Sequence, residues 1–474
     1  MNIESRLTEE LKCSSIVVIR WDQTECSPTR DDVLDLVKNH RYQIDNTNAG
    51  NCLENQTQCM FLTMNTDSEA TRLCQHSVTN EFVVNNTKLQ IHRLIQPNGI
   101  RLQDAIDFVH AHHKTTESDI DLLLGLTRLE LPERAEIANS DYRMIRQEVG
   151  RLVENGTCIT FGSFSSPVRR NGYSDIDICV ESIDSNYPEP DSESASIRPL
   201  EELIANPKIL LDAPLTRSEF YSYPPKEVIK MLDACFQENK QFTERFHIRV
   251  ALARTPIIIF KSHTNGMDMS YDLSVNNMIS VEKTKILNLF ITKDKSKEGR
   301  TRKVLMFIVF WAKTNRLING TYPDERLEVK TGLWSYIINQ LVIHFIQVAA
   351  GKELVKPGES GDNRVEEYSF DELFEDYTSF FLQFFRYYAN FDYSNNAIYG
   401  KQVIIQRSLG EEIQLPFMLI DPLDNSHIVS AFTTNEALNL LKELCRNAVL
   451  LLETGNFRVD RLLQTNDSVR QLKN

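Results

Sequence analysis

The segment from Cys158 to Val180, CITFGSFSSPVRRNGYSDIDICV, constrains the fold more than any other part of this sequence. An apolar run breaks at Gly162-Ser163 and resumes where Asp175 and Asp177 alternate with isoleucines. In a β-strand, this alternation puts both carboxylates on one face and turns the isoleucines into the core. The segment therefore predicts two acids aligned side by side on a strand.

Such a pair of acids indicates a metal site. Like charges a few ångströms apart repel and raise each other's pKa, so the pair is unfavourable without cations. Mg²⁺ prefers carboxylate oxygens and keeps places for water and substrate phosphate. Gly162 would let the backbone approach a phosphate, and Ser163 would offer an amide and a hydroxyl to a triphosphate oxygen. A lone Asp-X-Asp is usually a solvated turn, but here Asp175 follows Ser163 by twelve residues.

This combination resembles the signature of the DNA polymerase β-like nucleotidyltransferase superfamily, which needs a third acid on a neighbouring strand. The family pattern of Asp, an apolar residue, Ser and two Asn matches DLSVNN, which begins at Asp272. Asp268 is the competing candidate, four residues earlier and on the same strand face. The resemblance implies that Asp175, Asp177 and Asp272 are catalytic and bind two Mg²⁺ or Mn²⁺ ions.

Length and charge limit the kinds of protein. The 474 residues, 41% of them hydrophobic, suffice for two to four packed units. A net charge of −14 has the wrong sign for a chain that coats nucleic acid with its whole surface, so any RNA contact must be local. Nine scattered cysteines without Cys/His ligand spacing suit a reducing compartment. Without an apolar signal core or membrane span, we expect an intracellular protein.

The region from about residue 15 to 94 reads as strand, helix, strand, strand, helix, strand, with Thr29 as a candidate cap of the first helix. This βαββαβ pattern resembles an RNA recognition motif. Phe61 falls near one of the usual positions for a base-stacking aromatic, whereas Cys59 occupies the other. Stacking on RNA and packing of the module against a partner remain equal alternatives.

The predicted fold class is α+β. We expect a ferredoxin-like, RNA-recognition-like domain, a helical segment of the central domain, a nucleotidyltransferase palm of mixed β-sheet with helices, and a mainly helical central and nucleotide-recognition domain. A Ser- and Pro-rich acidic stretch at about 182–198 predicts a mobile insertion in the palm. The predicted boundaries are, in the same order, 12–96, 101–150, 151–285 and 286–474.

Further matches follow the order seen in non-canonical poly(A) polymerases and terminal uridylyltransferases. By this resemblance, Lys313 in FWAKTNRLIN would hold the triphosphate, and the Ser335-Tyr336 pair would meet phosphate and stack on the base. Thr284 falls where the family contacts the ribose, and Lys283 stands where it often has Asn. Trp311 and Trp334 are expected to pack between helices.

The stretch LIDPLDNSHIVS resembles the family's nucleotide-recognition loop, in which His427 follows Asp421 by six residues. In uridylyltransferases a His at this place favours uracil, by hydrogen bonding and by leaving too little room for adenine. Because a lone His is usually a surface or core residue, only the surrounding motif supports the uracil interpretation.

The stretch KDKSKEGRTRK, residues 293–303, is the one basic run. Lys295, Lys297, Arg300 and Arg302 are candidates to border an RNA groove. The start of a solvated helix is the alternative, at even odds.

Together these matches resemble the uridylyltransferases that act on U6 small nuclear RNA. They imply transfer of uridylyl groups from UTP to an RNA 3′ end by a monomeric nuclear enzyme. One alternative is a poly(A) polymerase that uses ATP, against which His427 speaks. Another is an inactive RNA-binding scaffold, against which the three acids speak.

Overall fold

The computed structural model describes residues 15–465, except 23–27, 52–56, 80–81, 86, 97–99, 129–131, 170–174, 183–196, 297–298, 319, 323–326, 330, 357–358, 360, 401, 406–414 and 455–457. The insertion predicted at about 182–198 lies almost wholly outside the described residues. The chain forms two compact units. The first comprises residues 1–96, 100–127 and 289–474, and the second comprises residues 97–99 and 128–288.

The N-terminal part of the first unit consists of β1 (Ile16–Asp22), α1 (Arg30–Asn39), β2 (Ile44–Asn51), β3 (Thr57–Met64), α2 (Asp67–Thr79), β4 (Val83–Val84), β5 (Thr87–Lys88) and β6 (Gln90–Arg93). Thr29 caps α1 in a capping box with Asp32, as its sequence position predicts. The main sheet has the order β2-β3-β1-β6, and all its pairs are antiparallel. One sheet face packs on both helices, through Val17 and Leu62 against Val33 and Leu73.

The rest of the first unit is mainly helical. It contains α3 (Leu102–Ala111), α4 (Thr116–Arg128), α11 (Met278–Thr292), α12 (Arg300–Thr314), β12 (Gly320–Tyr322), β13 (Leu327–Val329), α13 (Ser335–Ala349), a 3₁₀ turn (Gly361–Arg364), α14 (Phe370–Leu373), α15 (Tyr377–Asn390), β14 (Asn396–Tyr399), β15 (Gln402–Ile405), β16 (Met418–Asp421), β17 (Asp424–Ile428), α16 (Asn435–Glu453) and α17 (Val459–Leu463). Both α4 and α11 run across the boundary of the two units. A phenylalanine cluster joins α13 to α15, where the Phe345 ring meets Phe380 and Phe384. A small sheet of order β15-β14-β16-β17 follows.

The second unit contains α5 (Pro132–Leu152), β7 (Gly156–Phe161), β8 (Ile176–Ser182), α6 (Leu200–Ala205), α7 (Ile209–Asp212), α8 (Arg217–Ser222), α9 (Pro225–Glu238), α10 (Lys240–Arg245), β9 (His247–Leu252), β10 (Pro256–Thr264) and β11 (Met267–Val275), followed by the first part of α11. The five strands form one sheet of order β7-β8-β11-β10-β9. Only the β8–β11 pair is parallel. This mixture of helices and sheets is the predicted α+β class.

Helices cover one face of this five-stranded sheet. Ile176 and Ile178 of β8, with Tyr271 of β11, pack against α9 residues such as Leu232 and Phe236. Helix α5 also joins this core, although the sequence grouped residues 101–150 with the central helical domain. Its apolar residues Ala138, Ile145 and Val149 bury themselves against the sheet. Burial of that helix face therefore draws α5 into the second unit.

Among the described residues, no helix combines the length and the apolar character needed to cross a bilayer.

Candidate active site

Two of the predicted acids meet where β8 and β11 run side by side. Asp177 and Asp272 are direct partners in the parallel register of these strands. Because Ile176, Ile178 and Tyr271 point into the helix-covered core, the two carboxylates lie on the opposite face. Asp175 directly precedes β8 and is exposed. The Asp-Ile-Asp-Ile alternation thus produces the predicted row of acids.

Asp268, the competing candidate for the third acid, lies farther along β11. It is paired across the hairpin with His263, and its Oδ1 lies 2.7 Å from His263 Nδ1. Its side chain is 73% exposed. The register therefore puts Asp272, and not Asp268, beside Asp177.

The turn after β7 approaches Asp177 closely. Gly162 has φ +71, and a Cβ atom there would lie 2.0 Å from Asp177 Oδ2. Its N–H donates a 2.8 Å hydrogen bond to Thr284 Oγ1, whose hydroxyl donates to the Ser280 carbonyl. Only glycine combines this conformation with such proximity. Thr284 of α11 therefore holds the turn beside the acids, while Ser163 is exposed on it.

Crowding and burial change the acidity of these side chains. Burial raises the pKa of Asp177 to about 7, and the charges of Asp272 and Asp175 act in the same direction. Burial and the Asp175 charge raise the pKa of Asp272 to about 6, although the charge of Lys261 opposes the shift. The protein alone does not neutralise these groups, so the site favours protons or metal cations.

The donor set fits hard divalent ions. In the described part of the chain, no three His, Cys, Asp or Glu side chains are already arranged around one point for metal binding. However, Mg²⁺ is usually held by one or two carboxylates, with waters and substrate phosphates completing its shell. Asp175, Asp177 and Asp272 could supply those oxygens. A cation would offset the burial and the mutual repulsion that raise the pKa values of Asp177 and Asp272.

Asp141 supports these strands and was not among the predicted residues. Its carboxylate accepts hydrogen bonds from Arg245 Nε (2.7 Å), Ser262 Oγ (2.7 Å) and the Tyr271 hydroxyl (3.0 Å). Asp141 is 1% exposed, so it acts from the core side. From its place on α5, Asp141 bonds to side chains of both β10 and β11 and so holds the two strands together. No local motif in the sequence identifies it.

A second group of predicted residues meets in the helical unit. His427 Nδ1 lies 3.4 Å from Asp421 Oδ2, and the Tyr336 hydroxyl donates to Asp421 Oδ1 at 3.5 Å. Asp421 is fully buried, whereas the His427 side chain is 26% exposed. Burial and the Asp421 carboxylate hold the pKa of Tyr336 well above its ordinary value. The Asp421 carboxylate therefore lies next to both the Tyr336 ring and the His427 imidazole, which are 91 positions apart in the sequence (427 − 336).

Two other candidates for nucleotide binding fall on helix ends. Lys313 lies in the last turn of α12, and Ser335 opens α13. Trp311 is buried and donates from Nε1 to Thr465 Oγ1 at 3.0 Å, as expected of a packing residue. The same expectation is wrong for Trp334, which is 52% exposed. Lys283 is partly buried on α11.

Phe61 does not present its ring to solvent. It is 2% exposed, and its ring meets Phe108 of α3 edge to face with 5.0 Å between centroids. Beside it, Arg20 Nη2 lies 2.6 Å from Asp104 and 2.5 Å from Asp107. Helix α3 therefore covers the sheet face on which an RNA recognition motif stacks bases. Of the two alternatives for Phe61, the structure agrees with packing and not with base stacking.

The basic run at 293–303 is largely neutralised. Lys295 Nζ lies 2.5 Å from Glu367, and Arg300 lies 3.1 Å from Glu117 and 3.3 Å from Asp371. Acids distant in sequence thus meet these cations, which supports the helix-start alternative.

Lys297 falls outside the described residues, and Arg302 is partly buried on α12.

Known proteins resemble this chain in sequence and in fold. Residues 124–292 match the family model of the poly(A) RNA polymerase, mitochondrial-like, central palm domain. The U6 snRNA-specific terminal uridylyltransferase of Caenorhabditis elegans is 45% identical over an alignment that covers 100% of this chain and 73% of that protein. The mitochondrial poly(A) RNA polymerase of Drosophila melanogaster is 27% identical over 44% of this chain and 34% of its own.

Solved structures show the same fold. The crystal structure of mtPAP with CTP aligns over 97% of this chain and 98% of its own, with a TM-score of 0.57 and 16% identity. A cytoplasmic RNA terminal U-transferase aligns over 74% of this chain and 98% of its own, with a TM-score of 0.50 and 16% identity. These two likenesses concern the fold alone, whereas the full-length identity of 45% concerns the family. The chain therefore belongs to the terminal uridylyltransferase family of RNA nucleotidyltransferases.

Proposed function

We propose that this protein adds uridines from UTP to the 3′ end of RNA, with U6 small nuclear RNA as its target. The observation that carries the proposal is the pairing of Asp177 with Asp272 beside the Gly162 turn. The U6 specificity of the relative that aligns with the whole chain supports the choice of RNA. A nuclear location follows from that target, and we propose a monomer as the active form.

We propose that Asp175, Asp177 and Asp272 hold two Mg²⁺ ions, with Mn²⁺ as a substitute. When bound, such ions lower the pKa of an attacking hydroxyl and neutralise a triphosphate and its leaving pyrophosphate. The raised pKa values of Asp177 and Asp272 support this assignment, because they indicate carboxylates that lack compensating charge.

The residues of the chain position the reaction. The RNA 3′ oxygen would attack the α-phosphorus of UTP, form a new phosphodiester bond and break the bond to pyrophosphate. Asp272 would receive the hydroxyl proton, as a carboxylate placed beside the attacking oxygen can do. Ser163 and the Gly162 amide region would contact the triphosphate, with Thr284 keeping the turn in place. Catalysis then rests on positioning and charge stabilisation.

The remaining nucleotide contacts are assigned from the family resemblance. Lys313 and Ser335 would bind phosphate, and Lys283 and Thr284 would face the ribose side. Thr284 already uses its hydroxyl proton on the Ser280 carbonyl, so it can offer a substrate only its remaining lone pair.

Uracil choice would rest on His427 and Tyr336. The base would stack on Tyr336, and His427 would donate to a uracil carbonyl while its bulk excludes a purine. Asp421 supports this role because its buried carboxylate lies on the Nδ1 side of the ring, with Oδ2 3.4 Å from Nδ1, which leaves Nε2 for the base.

For the N-terminal part, we propose a ferredoxin-like module that serves packing. Its strand order and its two helices support the fold, and the cover of α3 over Phe61 supports the packing role. We further propose four domains close to the boundaries given above, with α5 assigned to the palm.

One observation favours a second function. The palm matches a poly(A) polymerase model, which suits transfer of AMP from ATP to RNA. Incubation of the purified protein with labelled RNA and each nucleoside triphosphate separately distinguishes the two. We expect extension with UTP, and a preference for ATP would favour adenylation. No extension with any nucleotide would leave the inactive scaffold.

The choice of RNA needs its own comparison. We expect U6 RNA to be extended with a higher kcat/KM than an unrelated RNA of equal length and similar 3′ end. Equal values would remove U6 RNA as the specific target and leave the uridylyl transfer unaffected.

A further inference from the structure

The sheet of the second unit has an open face that carries cations on its outer two strands. On β9, Ile248 and Val250 pack toward the core, while His247 and Arg249 are exposed. On β10, Ile258 and Phe260 are buried, and Lys261 and His263 are exposed. Because strand side chains alternate, the cations Arg249 and Lys261 share the face opposite the helices with the imidazoles of His247 and His263. We call His247, Arg249, Lys261 and His263 the β9–β10 cationic face.

This face is continuous with the carboxylate site. Across the three strands, Asp272 aligns with Ile259 and Arg249, and Ser270 aligns with Lys261 and His247. Lys261 also influences Asp272 electrostatically. An open cavity of about 650 Å³ joins the two regions and is lined by residues that include Asp175, Asp272, Lys261 and His247.

The sheet order gives the face a direction. In the order β7-β8-β11-β10-β9, the Gly162 turn at the end of β7 lies on one side of the paired acids. The cationic face lies on their other side. Phosphoryl transfer requires the attacking oxygen and the leaving pyrophosphate to lie roughly in line on opposite sides of the phosphorus. If the triphosphate lies toward the β7 turn, the attacking RNA strand arrives over β10 and β9.

We propose that the β9–β10 cationic face binds the sugar-phosphate backbone of the last nucleotides of the RNA and delivers its 3′ end to Asp272. This inference rests on the proposed function, because it assumes the direction of nucleotidyl transfer. It names an RNA contact different from residues 293–303, where Lys295 and Arg300 already meet acids. Charge complementarity identifies the ligand as a polyanion, and the adjoining cavity supplies the path to the carboxylates.

A substitution at Asp268 should change RNA affinity in the direction opposite to the removal of the cations. It is 73% exposed and contacts His263 of the same face. Its negative charge opposes an RNA phosphate, so Asp268→Asn should strengthen RNA binding. Removing cations nearby should weaken it. A purely structural role for these side chains predicts no such reversal.

The experiment measures equilibrium binding of a fluorescent single-stranded RNA with a free 3′ hydroxyl, at several salt concentrations. The double variant Arg249→Gln/Lys261→Gln should bind on the order of tenfold more weakly and lose about 1.4 from its salt slope, at about 0.7 per phosphate contact. Lys240→Gln is the matched control, because this lysine is 87% exposed and lies in the same unit on α10. It should leave affinity and slope unchanged.

Extension assays separate the phosphate of RNA from that of UTP. The double variant should raise the KM for RNA and leave the KM for UTP unchanged. A raised KM for UTP alone would overturn the proposal, since the face would then bind the triphosphate. Unchanged RNA affinity and salt slope would also overturn it, whether or not the wild-type protein extends RNA. If wild type transfers no nucleotide but loses RNA binding in the double variant, the proposed function fails and the binding face stands.

Discussion

Gly162 and Asp177 lie so close that any side chain at position 162 would meet the Asp177 carboxylate. A Cβ atom there would be 2.0 Å from Asp177 Oδ2 and 2.9 Å from its carboxyl carbon. The turn cannot move away freely, because the Gly162 N–H is bonded to Thr284 Oγ1. The glycine of the Gly-Ser signature is therefore required by the position of the Asp177 carboxylate.

Gly162→Ala should abolish extension while leaving the protein folded. The new methyl group displaces Asp177 and disturbs the metal ligands, so we expect kcat/KM to fall by at least about 100-fold, as a misplacement of about 1 Å can produce. Gly351→Ala is the matched control, because its φ is +67 but a Cβ there has no atom within 4 Å. Both variants should lose about 1 kcal/mol of stability from the left-handed backbone, while only Gly162→Ala loses activity. Equal activity of the two would show that the close approach is not needed.

Asp177→Asn should abolish extension and make the metal-free protein more stable at pH 8. Burial and the neighbouring carboxylates raise the pKa of Asp177 in the folded protein to about 7, above the ordinary value of 3.8. Protonation of the Asp177 carboxyl stabilises the folded protein. This stabilisation is fully present below pH 4 and is lost as the pH rises toward 7. Each pKa unit corresponds to about 1.4 kcal/mol, and screening by solvent reduces this value. We therefore expect Asp177→Asn to raise the free energy of unfolding by about 2 kcal/mol at pH 8 and by almost nothing at pH 4.

Chemical denaturation in a chelator at both pH values measures this difference. Adding Mg²⁺ at pH 8 should stabilise the wild type and not the variant, because cations compete with protons for the same oxygens. Asp268→Asn serves as the control, since its exposed carboxylate should change stability by less than about 0.5 kcal/mol. If the metal-free wild type is equally stable at pH 4 and pH 8, the charged carboxylates do not destabilise the fold as we expect.

Phe61→Ala should cost stability and leave RNA affinity unchanged. Its ring is buried against Phe108, and large-to-small changes of this kind cost about 3 kcal/mol. Phe61→Leu keeps most of the volume and should cost about 1 kcal/mol. Urea denaturation gives the two free energies of unfolding, and binding of single-stranded RNA below the transition gives the affinity. An affinity loss at unchanged stability would restore the base-stacking role.

The sequence predicted what short-range patterns determine. The alternation of Asp175 and Asp177 with isoleucines gave the strand, its inner face and its acids. The cover over Phe61 was not predictable in this way, because it depends on Arg20 meeting Asp104 across 84 positions. Burial raises the pKa of Asp104, but hydrogen bonds from His92 and Arg101 and the charges of His92 and Arg20 hold it well below its usual range. That carboxylate therefore stays charged, and the ion cluster fastens α3 to the sheet.

The β9–β10 cationic face could not be predicted from the sequence for the same reason. Lys261 and His247 become neighbours only through the antiparallel register of β9 and β10, fourteen positions apart in the chain (261 − 247). A search for basic runs finds residues 293–303 instead. There the partner acids Glu117 and Glu367 come from distant segments and consume the charge. A cluster of basic residues in the sequence is thus a poor guide to positive charge on the surface, because folding can bring acidic side chains to neutralise it.

His427→Ala should shift nucleotide choice from UTP toward ATP. The substitution removes both the donor that reads a uracil carbonyl and the bulk that excludes a purine. We expect the ratio of kcat/KM for UTP to that for ATP to change by about 1 to 3 kcal/mol, the scale for a positioned hydrogen bond in a pocket. Asp421→Asn should shift the ratio in the same direction by a smaller amount, because the imidazole remains but loses the carboxylate 3.4 Å from Nδ1. Ser426→Ala, exposed on the same strand and bonded only locally to Asp424, should leave the ratio unchanged. Measuring both nucleotides for all four proteins decides the matter: an unchanged ratio in His427→Ala would move specificity elsewhere, and a wild-type preference for ATP would overturn the uridylyl assignment while sparing the carboxylate site.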